Sequence, residues 1–158
     1  MSSEDKNKDL KIVKENAEKL FSLMSIQAEI EVSEDKENEA VVVSIDNTKE
    51  AGLIIGSRGR TLDSIQIILA MICKKDLGSW RRIILDVSGW REKEKERLEN
   101  LAELTAQRAI ETDEPQYLYN LTPSQRRTIH LFLSENSEVK TESQGEGKER
   151  YLVVTSAK

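Results

Sequence analysis

The sequence contains one cysteine, one histidine and no long apolar run. Cys73 has no second cysteine with which to form an internal disulfide, and it lies within IQIILAMICKK, so we expect a small buried side chain there. Cys73 and His130 alone cannot supply the usual set of zinc ligands, so we expect no metal site. We expect no cofactor either. No stretch approaches the roughly 20 consecutive apolar residues of a membrane helix.

The first residues, MSSEDKNKDLK, are charged, whereas a secretory signal begins basic and then becomes apolar. We therefore expect a cytoplasmic protein without stable membrane insertion. The 158 residues, 37% of them hydrophobic, suffice for one ordinary domain or two small ones, and we favour two.

The net charge of −5 disfavours a nucleic-acid partner until its distribution is considered. Residues 1–50 carry 7 basic and 13 acidic side chains, whereas residues 51–90 carry 6 basic and 3 acidic ones. Phosphate binding responds to charge within a Debye length of about 8–10 Å. The acidic remainder of the chain therefore weakens nonspecific binding but does not exclude a local site.

The pattern of residues 10–88 predicts helix, strand, strand, short helix, helix and strand in that order. Apolar residues recur at helical spacing from Leu10 to Met24, and IQAEIEV and EAVVVSI flank the turn SEDKEN as in a hairpin. TKEAGLII supplies one or two helical turns before Gly56, and a second helix extends from Thr61 to Lys75. WRRIILDV is typical of a buried strand.

The second half begins with a segment from Trp90 to Thr112 that contains no glycine or proline, which predicts a helix of ~20 residues linking two units. Its charged run REKEKERLE fits a solvated helix face, and Pro115 in TDEP ends the helix. After the extended piece QYLYNL, the sequence TPSQ has the residues of a capping box with proline at the first helical position, which predicts a helix to about Ser134. VKTES and RYLVVTS around QGEGKE predict a closing hairpin.

The stretch LIIGSRGRTL places two glycines three residues apart, with Ser57 and Arg58 between them and Arg60 directly after. Glycine permits backbone conformations that other residues avoid, and it leaves no side chain to hold a ligand at a distance. The helix expected to begin at Arg60 or Thr61 directs N–H groups and partial positive charge toward the turn. We interpret the turn as an anion site; the alternative is a helix-turn-helix corner with incidental arginines, which a bare Gly-x-x-Gly pattern does not exclude.

Two other phosphate-binding patterns fail at this turn. A P-loop requires glycine at 54 and lysine at 60, where the chain has Ile54 and Arg60, and a dinucleotide fingerprint requires a third glycine and a strand leading directly into the turn. By contrast, GLIIGSRGRTLDSIQIILAMI resembles the G-L-I-I-G-x-x-G-x-T-L-x-x-L-Q core of KH domains, with Ile65 in place of the last leucine. The order of elements resembles the bacterial type II KH topology, α-β-β-α-α-β. This resemblance implies that the turn clamps the backbone of about four nucleotides.

The predicted helix after Thr122 contains RRTIH, in which Arg126 and His130 are four residues apart and therefore on one face. A lone helical histidine is more often a structural hydrogen-bonding residue. However, the R-x-x-x-H spacing resembles the R-three-H domain, a small binder of single-stranded nucleic acid. A KH domain, a long helix and this module together resemble the Jag (SpoIIIJ-associated) family, also called the KhpB family, over roughly residues 10–156. The resemblance includes LDVSGWREKEKERLENLA and VKTESQGEGKERYLVV.

The family resemblance implies an α+β protein with a flexible N-terminus at 1–9 and a type II KH domain at 10–88. A connecting helix and an R-three-H domain, with helices packed on a small antiparallel sheet, follow at 89–158. The implied nucleic-acid-binding residues are Ile55, Gly56, Ser57, Arg58, Gly59 and Arg60 in the turn and Arg126, Arg127 and His130 on the later helix.

Within these sets, the resemblance implies that Arg126 and His130 face the ligand. Ile54, Ile55 and Leu62 either form the floor of a base-binding groove or fill the core. Many relatives have two basic residues between the glycines, whereas this chain has Ser57 in one of these positions. We therefore expect a weaker electrostatic attraction between the turn and the nucleic-acid backbone, which the charge of Arg60 restores in part. Longer relatives carry an additional N-terminal domain and linker, whose functions we do not carry over.

The leading hypothesis is a noncatalytic protein that binds single-stranded RNA through two sites, with single-stranded DNA as a further ligand of the R-three-H unit. The resemblance implies a bacterial RNA chaperone or post-transcriptional regulator linked to cell elongation and envelope homeostasis. Implied protein partners are a smaller single-KH protein (KhpA) or a second copy.

The alternative is an assembly factor for envelope machinery, with the acidic first 50 residues as a protein-facing surface. An enzyme is disfavoured because the motifs hold no paired carboxylates, no nucleophile beside His130 and no metal cluster.

Overall fold

The polypeptide divides into two units, Met1–Arg91 and Glu92–Lys158. The computed structural model of the protein describes the backbone of residues 3–158 and the side chains of residues 7–158. The helices and strands are α1 Ser3–Leu23, β1 Glu29–Asp35, β2 Ala40–Asp46, α2 Ala51–Ile55, α3 Arg60–Leu77, β3 Arg82–Val87, α4 Trp90–Thr112, β4 Gln116–Leu118, α5 Pro123–Leu133, β5 Val139–Gln144 and β6 Tyr151–Ser156. Short 3-10 turns occupy Ser57–Gly59 and Gly147–Glu149.

The first unit is a three-stranded sheet in the order β1-β2-β3, with one face covered by helices α1 and α3. Strands β1 and β2 form an antiparallel hairpin, and β2 and β3 are parallel, with Val43 opposite Leu85. Alternate residues of β2 and β3 are buried, because successive side chains of a strand point to opposite faces. Val43 and Leu85 pack in one core with Leu69 of α3 and Phe21 of α1.

The element order α-β-β-α-α-β predicted for a type II KH domain is confirmed, including the hairpin and the short helix before Gly56. Helix α1 begins at Ser3, earlier than the start near Leu10 that the apolar pattern indicated. Residues 3–9, within the segment 1–9 that was expected to be flexible, are helical, and residues 1–2 lie outside the described part of the chain. Asp9 in this helix accepts a hydrogen bond from Arg81, with 2.7 Å between Oδ2 and Nη2.

The second unit packs helices α4 and α5 on a three-stranded antiparallel sheet in the order β4-β6-β5. Its core contains apolar residues from both helices and from β5 and β6: Leu98, Ala102, Ala106, Ala109, Ile129, Leu133, Val139, Leu152 and Val154. The predicted long helix, the proline-initiated helix and the closing hairpin are all confirmed, and the expected α+β class holds for both units. The boundary between the units falls within α4, after Arg91 rather than after residue 88.

The structure adds two findings that bear on function. Over residues 3–158, no helix is long and apolar enough to cross a membrane. Among the described side chains, those of residues 7–158, no three of histidine, cysteine, aspartate or glutamate form a group able to hold a metal ion.

Candidate nucleic-acid interface

The glycine turn joins α2 to α3 through an unusual run of backbone conformations. Gly56 has φ 68° and ψ −170°, a region that is accessible essentially to glycine alone. Arg58 is left-handed at φ 56° and ψ 33°, and Gly59 is left-handed at φ 76° and ψ 5°. The conformational freedom expected of the two glycines is therefore used, and Arg58 between them adopts a left-handed conformation that is uncommon for a residue with a side chain.

Other side chains of the protein pack closely against both glycines, which the sequence pattern did not indicate. A Cβ built on Gly59 would lie 2.7 Å from Cζ3 of Trp90 and closer still to the adjacent Cη2, whereas one on Gly56 would lie 2.6 Å from Cβ of Thr61. The space that we expected to be left open for a ligand is thus filled by protein atoms on these sides. The glycines allow tight packing of the turn, and any ligand must approach from elsewhere.

The polar residues of the turn remain accessible. Ser57, Arg58 and Arg60 are exposed, whereas Gly59 is buried beneath them. Helix α3 begins at Arg60, as predicted, and among the described residues no side chain caps its first turn. The turn therefore presents two arginines beside the electropositive end of an 18-residue helix, an arrangement suited to a phosphate group.

The aliphatic residues around the turn belong mainly to the core. Ile54 and Leu62 are fully buried in the first unit, so filling the core is the correct alternative for both. Ile55 is half-buried and packs against the same core. Of the three, only Ile55 has surface available to a ligand.

An acidic residue close to the turn is paired with a basic one. Asp63 lies in the first turn of α3, and its Oδ1 is 3.1 Å from Nη2 of Arg91. The same Arg91 guanidinium donates through Nε to the carbonyl of Leu85 and through Nη2 to Oε1 of Gln66. This network fixes the start of α4 against β3 and α3, and it reduces the negative field of Asp63 at the turn.

The second candidate surface lies on α5, whose start is held by side-chain hydrogen bonds. Thr122 and Gln125 form the predicted capping box, in which each side chain bonds the backbone N–H of the other. The amide of Gln125 also donates to Glu94 of α4 over 2.7 Å. Hydrogen bonds from Arg97 hold the pKa of Glu94 below its usual value, with a further contribution from Gln125, although burial opposes them. Glu94 therefore stays ionised and anchors α5 to α4.

The structure corrects the expectation that Arg126 faces a ligand. Arg126 is only 9% exposed, and its Nη1 donates to the carbonyls of Leu121 at 2.8 Å and Arg150 at 3.2 Å. This side chain ties the segment before α5 to the start of β6. Its role in the described structure is structural, because a guanidinium that satisfies two backbone carbonyls stabilises the fold.

Arg127 and His130 are exposed and three residues apart on α5, so they are neighbours on one helix face. Nδ1 of His130 is 2.5 Å from Oγ1 of Thr141 on β5, which orients the imidazole. Of the predicted residues on α5, Arg127 and His130 are thus exposed together, whereas Arg126 is buried.

Three residues that support the two surfaces belong to no functional motif in the sequence: Trp90, Arg91 and Thr141. Trp90 was noted only as the start of the long helix, yet its indole covers Gly59. A large aromatic residue directly after Ser88 and Gly89, at the head of a helix that is otherwise charged, is the signal that was available. Thr141 had no such signal, because its contact with His130 depends on how β5 packs on α5.

Comparison with known proteins matches both units. The family described as "KhpA/KhpB, KH domain" matches residues 11–86, and the R-three-H domain family matches residues 96–156. "RNA-binding protein KhpB" of Clostridium symbiosum is 31% identical over 138 residues, which are 87% of this chain and 62% of that protein. The protein of the same name from Bacillus subtilis (strain 168) is 33% identical over 109 residues, 68% of this chain and 52% of that protein.

A third relative with this name, from Lactiplantibacillus plantarum, is 31% identical over 140 residues, 86% of this chain and 43% of that protein. The chain thus spans about half the length of the curated relatives that it matches. The two domain matches occur in the order found in the sequence, each falls on one structural unit, and the relatives share one name. With a KH domain followed by an R-three-H domain, the chain belongs to the Jag/KhpB family.

Proposed function

We propose that this chain is a noncatalytic protein that binds single-stranded RNA at the glycine turn of its KH unit. The observation that supports the proposal is the exposure of Arg58 and Arg60 at the start of α3, above a glycine that the indole of Trp90 keeps buried. Arginines at a helix start bind backbone phosphates, and such contacts carry little sequence information. We therefore expect modest sequence selectivity at this site.

A second contact is proposed at Arg127 and His130 on α5, which are exposed and adjacent. Arg127 supplies charge, and the imidazole of His130, oriented by Thr141, is available to a phosphate or a base. Since neither residue distinguishes a ribose from a deoxyribose, single-stranded DNA is a further expected ligand here. In the cell we propose a cytoplasmic RNA chaperone or post-transcriptional regulator linked to cell elongation and envelope homeostasis, a role that rests on membership of the family.

The test of the turn is the double substitution Ser57→Asp and Arg58→Asp. Aspartate tolerates the left-handed conformation of residue 58, so the variant should keep its fold while two negative charges repel the strand. We expect RNA retention on a filter to be abolished and the circular dichroism spectrum to be unchanged. RNA binding equal to that of the wild type would remove the turn from the mechanism.

A second candidate function, as a protein assembly factor, is favoured by an apolar surface of the KH unit. Ile67 and Met71 are four residues apart on α3 and are 58% and 62% exposed. Apolar side chains on one face of a helix are suited to a protein partner. The partner that we propose is a smaller single-KH protein, KhpA, or a second copy of this chain.

Pull-down of the tagged protein with and without nuclease separates the two functions. Partner proteins that persist after nuclease treatment, with no RNA recovered at physiological salt, would favour the assembly function. In that case Ile67→Lys with Met71→Lys should release the partner, whereas Arg58→Asp should not. RNA recovered from the untreated sample, and partners lost after nuclease, would favour RNA binding.

A further inference from the structure

Three tyrosines cluster on the second unit at the segment after α4 and the start of β6. The rings of Tyr117 and Tyr119 are 15° from parallel with centroids 6.2 Å apart, and Tyr151 lies 5.0 Å from Tyr119 and 6.1 Å from Tyr117. Tyr117 is 49% exposed and Tyr119 is 58% exposed. Two nearly parallel aromatic rings are therefore partly exposed to solvent.

The register of the sheet places this cluster on the face opposite the helices. Leu152 and Val154 of β6 pack in the core with α4 and α5, so Tyr151 and Val153 point to the other side. Tyr117 is opposite Val153 in the antiparallel ladder, and it shares that outer face. The tyrosines are thus separate from the surface formed by Arg127 and His130 on α5.

Several contacts hold the cluster in one arrangement. The hydroxyl of Tyr151 donates to Oε1 of Gln144 over 3.2 Å, and Nε2 of Gln144 donates to Glu142 over 3.1 Å. From the core side, Nη1 of Arg126 binds the carbonyls of Leu121 and Arg150, which follow Tyr119 and precede Tyr151 in the chain. The buried arginine therefore fixes the two backbone segments that bring Tyr119 and Tyr151 together.

The surroundings of the rings favour a base over a protein surface. The outward-facing neighbours on β5 are Lys140, Glu142 and Gln144, all exposed, and Val153 is buried between the strands. Glu142 is the one acid among them, and it accepts a hydrogen bond from Gln144. A stable protein interface buries about 800 Å² on each partner around an apolar centre, which two half-exposed rings with polar neighbours do not supply. Unpaired bases need only the face of a ring.

We propose that the outer face of this sheet is a stacking platform for unpaired bases of single-stranded RNA, with Tyr117 and Tyr119 as the stacking surfaces. Tyr151 supports the other two rings, and Arg126 is a positioning residue that acts through the backbone. The proposal rests on the proposed function, since it adds base contacts to an RNA-binding protein. Aromatic residues on an open sheet are a known means of binding bases in other folds.

The test compares an oligoadenylate of eight residues with an abasic ribose-phosphate strand of equal length, using the full chain. Tyr117→Ala with Tyr119→Ala should weaken binding of oligoadenylate by about 5- to 150-fold for each base that loses its stacking partner. Binding of the abasic strand should be unchanged, because the phosphate contacts remain. Tyr117→Phe with Tyr119→Phe, which keeps the rings, should retain affinity for oligoadenylate within about twofold.

A second measurement uses the unmodified protein, so it does not depend on how the variants fold. Ultraviolet crosslinking to oligoadenylate followed by peptide mass spectrometry should place crosslinks on Tyr117 or Tyr119. Crosslinks confined to other residues would contradict the stacking platform. Equal losses of affinity for oligoadenylate and for the abasic strand in the alanine variant would also contradict it. A change of sedimentation coefficient in that variant with unaltered RNA affinity would assign the face to a second copy and also overturn it.

The outcomes distinguish failure of the platform from failure of the proposed function. If the wild type binds both strands and the alanine variant binds them with the same affinities, only the proposal of a stacking platform is wrong. If the wild type binds neither strand, the proposed function fails and the platform fails with it.

Discussion

The six-membered ring of Trp90 occupies the position where a side chain at residue 59 would begin. A Cβ on Gly59 would lie 2.7 Å from Cζ3 of Trp90, and the glycine is left-handed with φ 76°. The first residue of α4 therefore supports the turn at the start of α3. The exposed Arg58 and Arg60 are held on a turn whose underside is packed against an aromatic ring.

Gly59→Ala should destabilise the KH unit, because it combines a left-handed alanine with a clash against Trp90. We expect a loss of about 2–5 kcal/mol in the free energy of unfolding, measured by denaturant titration with tryptophan fluorescence. The matched control is Gly78→Ala, at a left-handed glycine with φ 68° and no atom within 4 Å of the added carbon. The control should lose only about 1–2 kcal/mol, from backbone strain alone. Equal losses at the two positions would show that the contact with Trp90 contributes nothing.

Arg126 and Arg127 are adjacent in sequence but should respond to substitution in opposite ways. Arg126→Ala should lower the free energy of unfolding by about 1.5–3 kcal/mol, since it leaves the carbonyls of Leu121 and Arg150 without their charged donor. Arg127→Ala should leave stability within about 0.5 kcal/mol of the wild type and weaken RNA binding. Thermal denaturation and filter binding on both variants check the two claims. A stable Arg126→Ala variant that had lost binding of the abasic ribose-phosphate strand would restore this residue to the phosphate-binding surface, because the tyrosine platform does not contribute to that binding.

The salt dependence of RNA affinity should reveal how many phosphates the chain contacts. For two basic sites we expect a plot of log affinity against log salt with a slope of about −2 to −4, at ~0.7 per phosphate on a single strand. Arg58→Asn with Arg60→Gln removes two charges, and asparagine tolerates the left-handed conformation at residue 58. The slope of this variant should be shallower by about 1.4. An unchanged slope would mean that neither arginine contacts phosphate.

Cys73 should behave as a buried thiol. Burial raises its pKa from 9.0 to about 11, the nearby charge of Asp76 acts in the same direction, and a hydrogen bond with Asn16 opposes both. Iodoacetamide at pH 8 should therefore react slowly with the folded protein and rapidly in denaturant, because only the thiolate is nucleophilic. Fast labelling of the folded protein would contradict the burial of this residue.

The same shift makes the contribution of Cys73 to stability depend on pH. The thiol ionises more readily in the unfolded chain than in the folded one, so its contribution is present below pH 9 and falls as the pH rises toward 11. The difference in unfolding free energy between the wild type and Cys73→Ala should narrow over this interval. A constant difference from pH 8 to pH 11 would contradict the raised pKa.

Elements with local signals in the sequence were predicted well. Helix α4 runs from Trp90 to Thr112, the limits indicated by the absence of glycine and proline, and α5 begins at Pro123 after the capping residue Thr122. Helix propensity, capping and periodicity act over a few residues, so a single sequence reveals them. The start of α1 was less accurate, because its first turns carry charged residues without an apolar pattern.

Features that depend on residues distant in the chain were not predicted. Arg126 has a partner 24 residues later, and the R-x-x-x-H spacing alone does not show which of two adjacent arginines is buried. Gly59 was expected to leave room for a ligand, but the space is taken by Trp90 from the next helix. The sequence correctly indicated that the arginines of the turn are exposed. The packing of Trp90 beneath the turn could be recognised only in the tertiary structure.

RNA binding at the glycine turn can be tested by titrating the ¹⁵N-labelled full chain with an RNA oligonucleotide of eight residues while the amide chemical shifts are recorded. We predict that the largest shifts on the KH unit occur at residues 56–60 and in the first turn of α3. These shifts should disappear in the Ser57→Asp, Arg58→Asp variant. If RNA binds while the amide signals of residues 56–60 do not shift, the glycine turn is not the RNA-binding site.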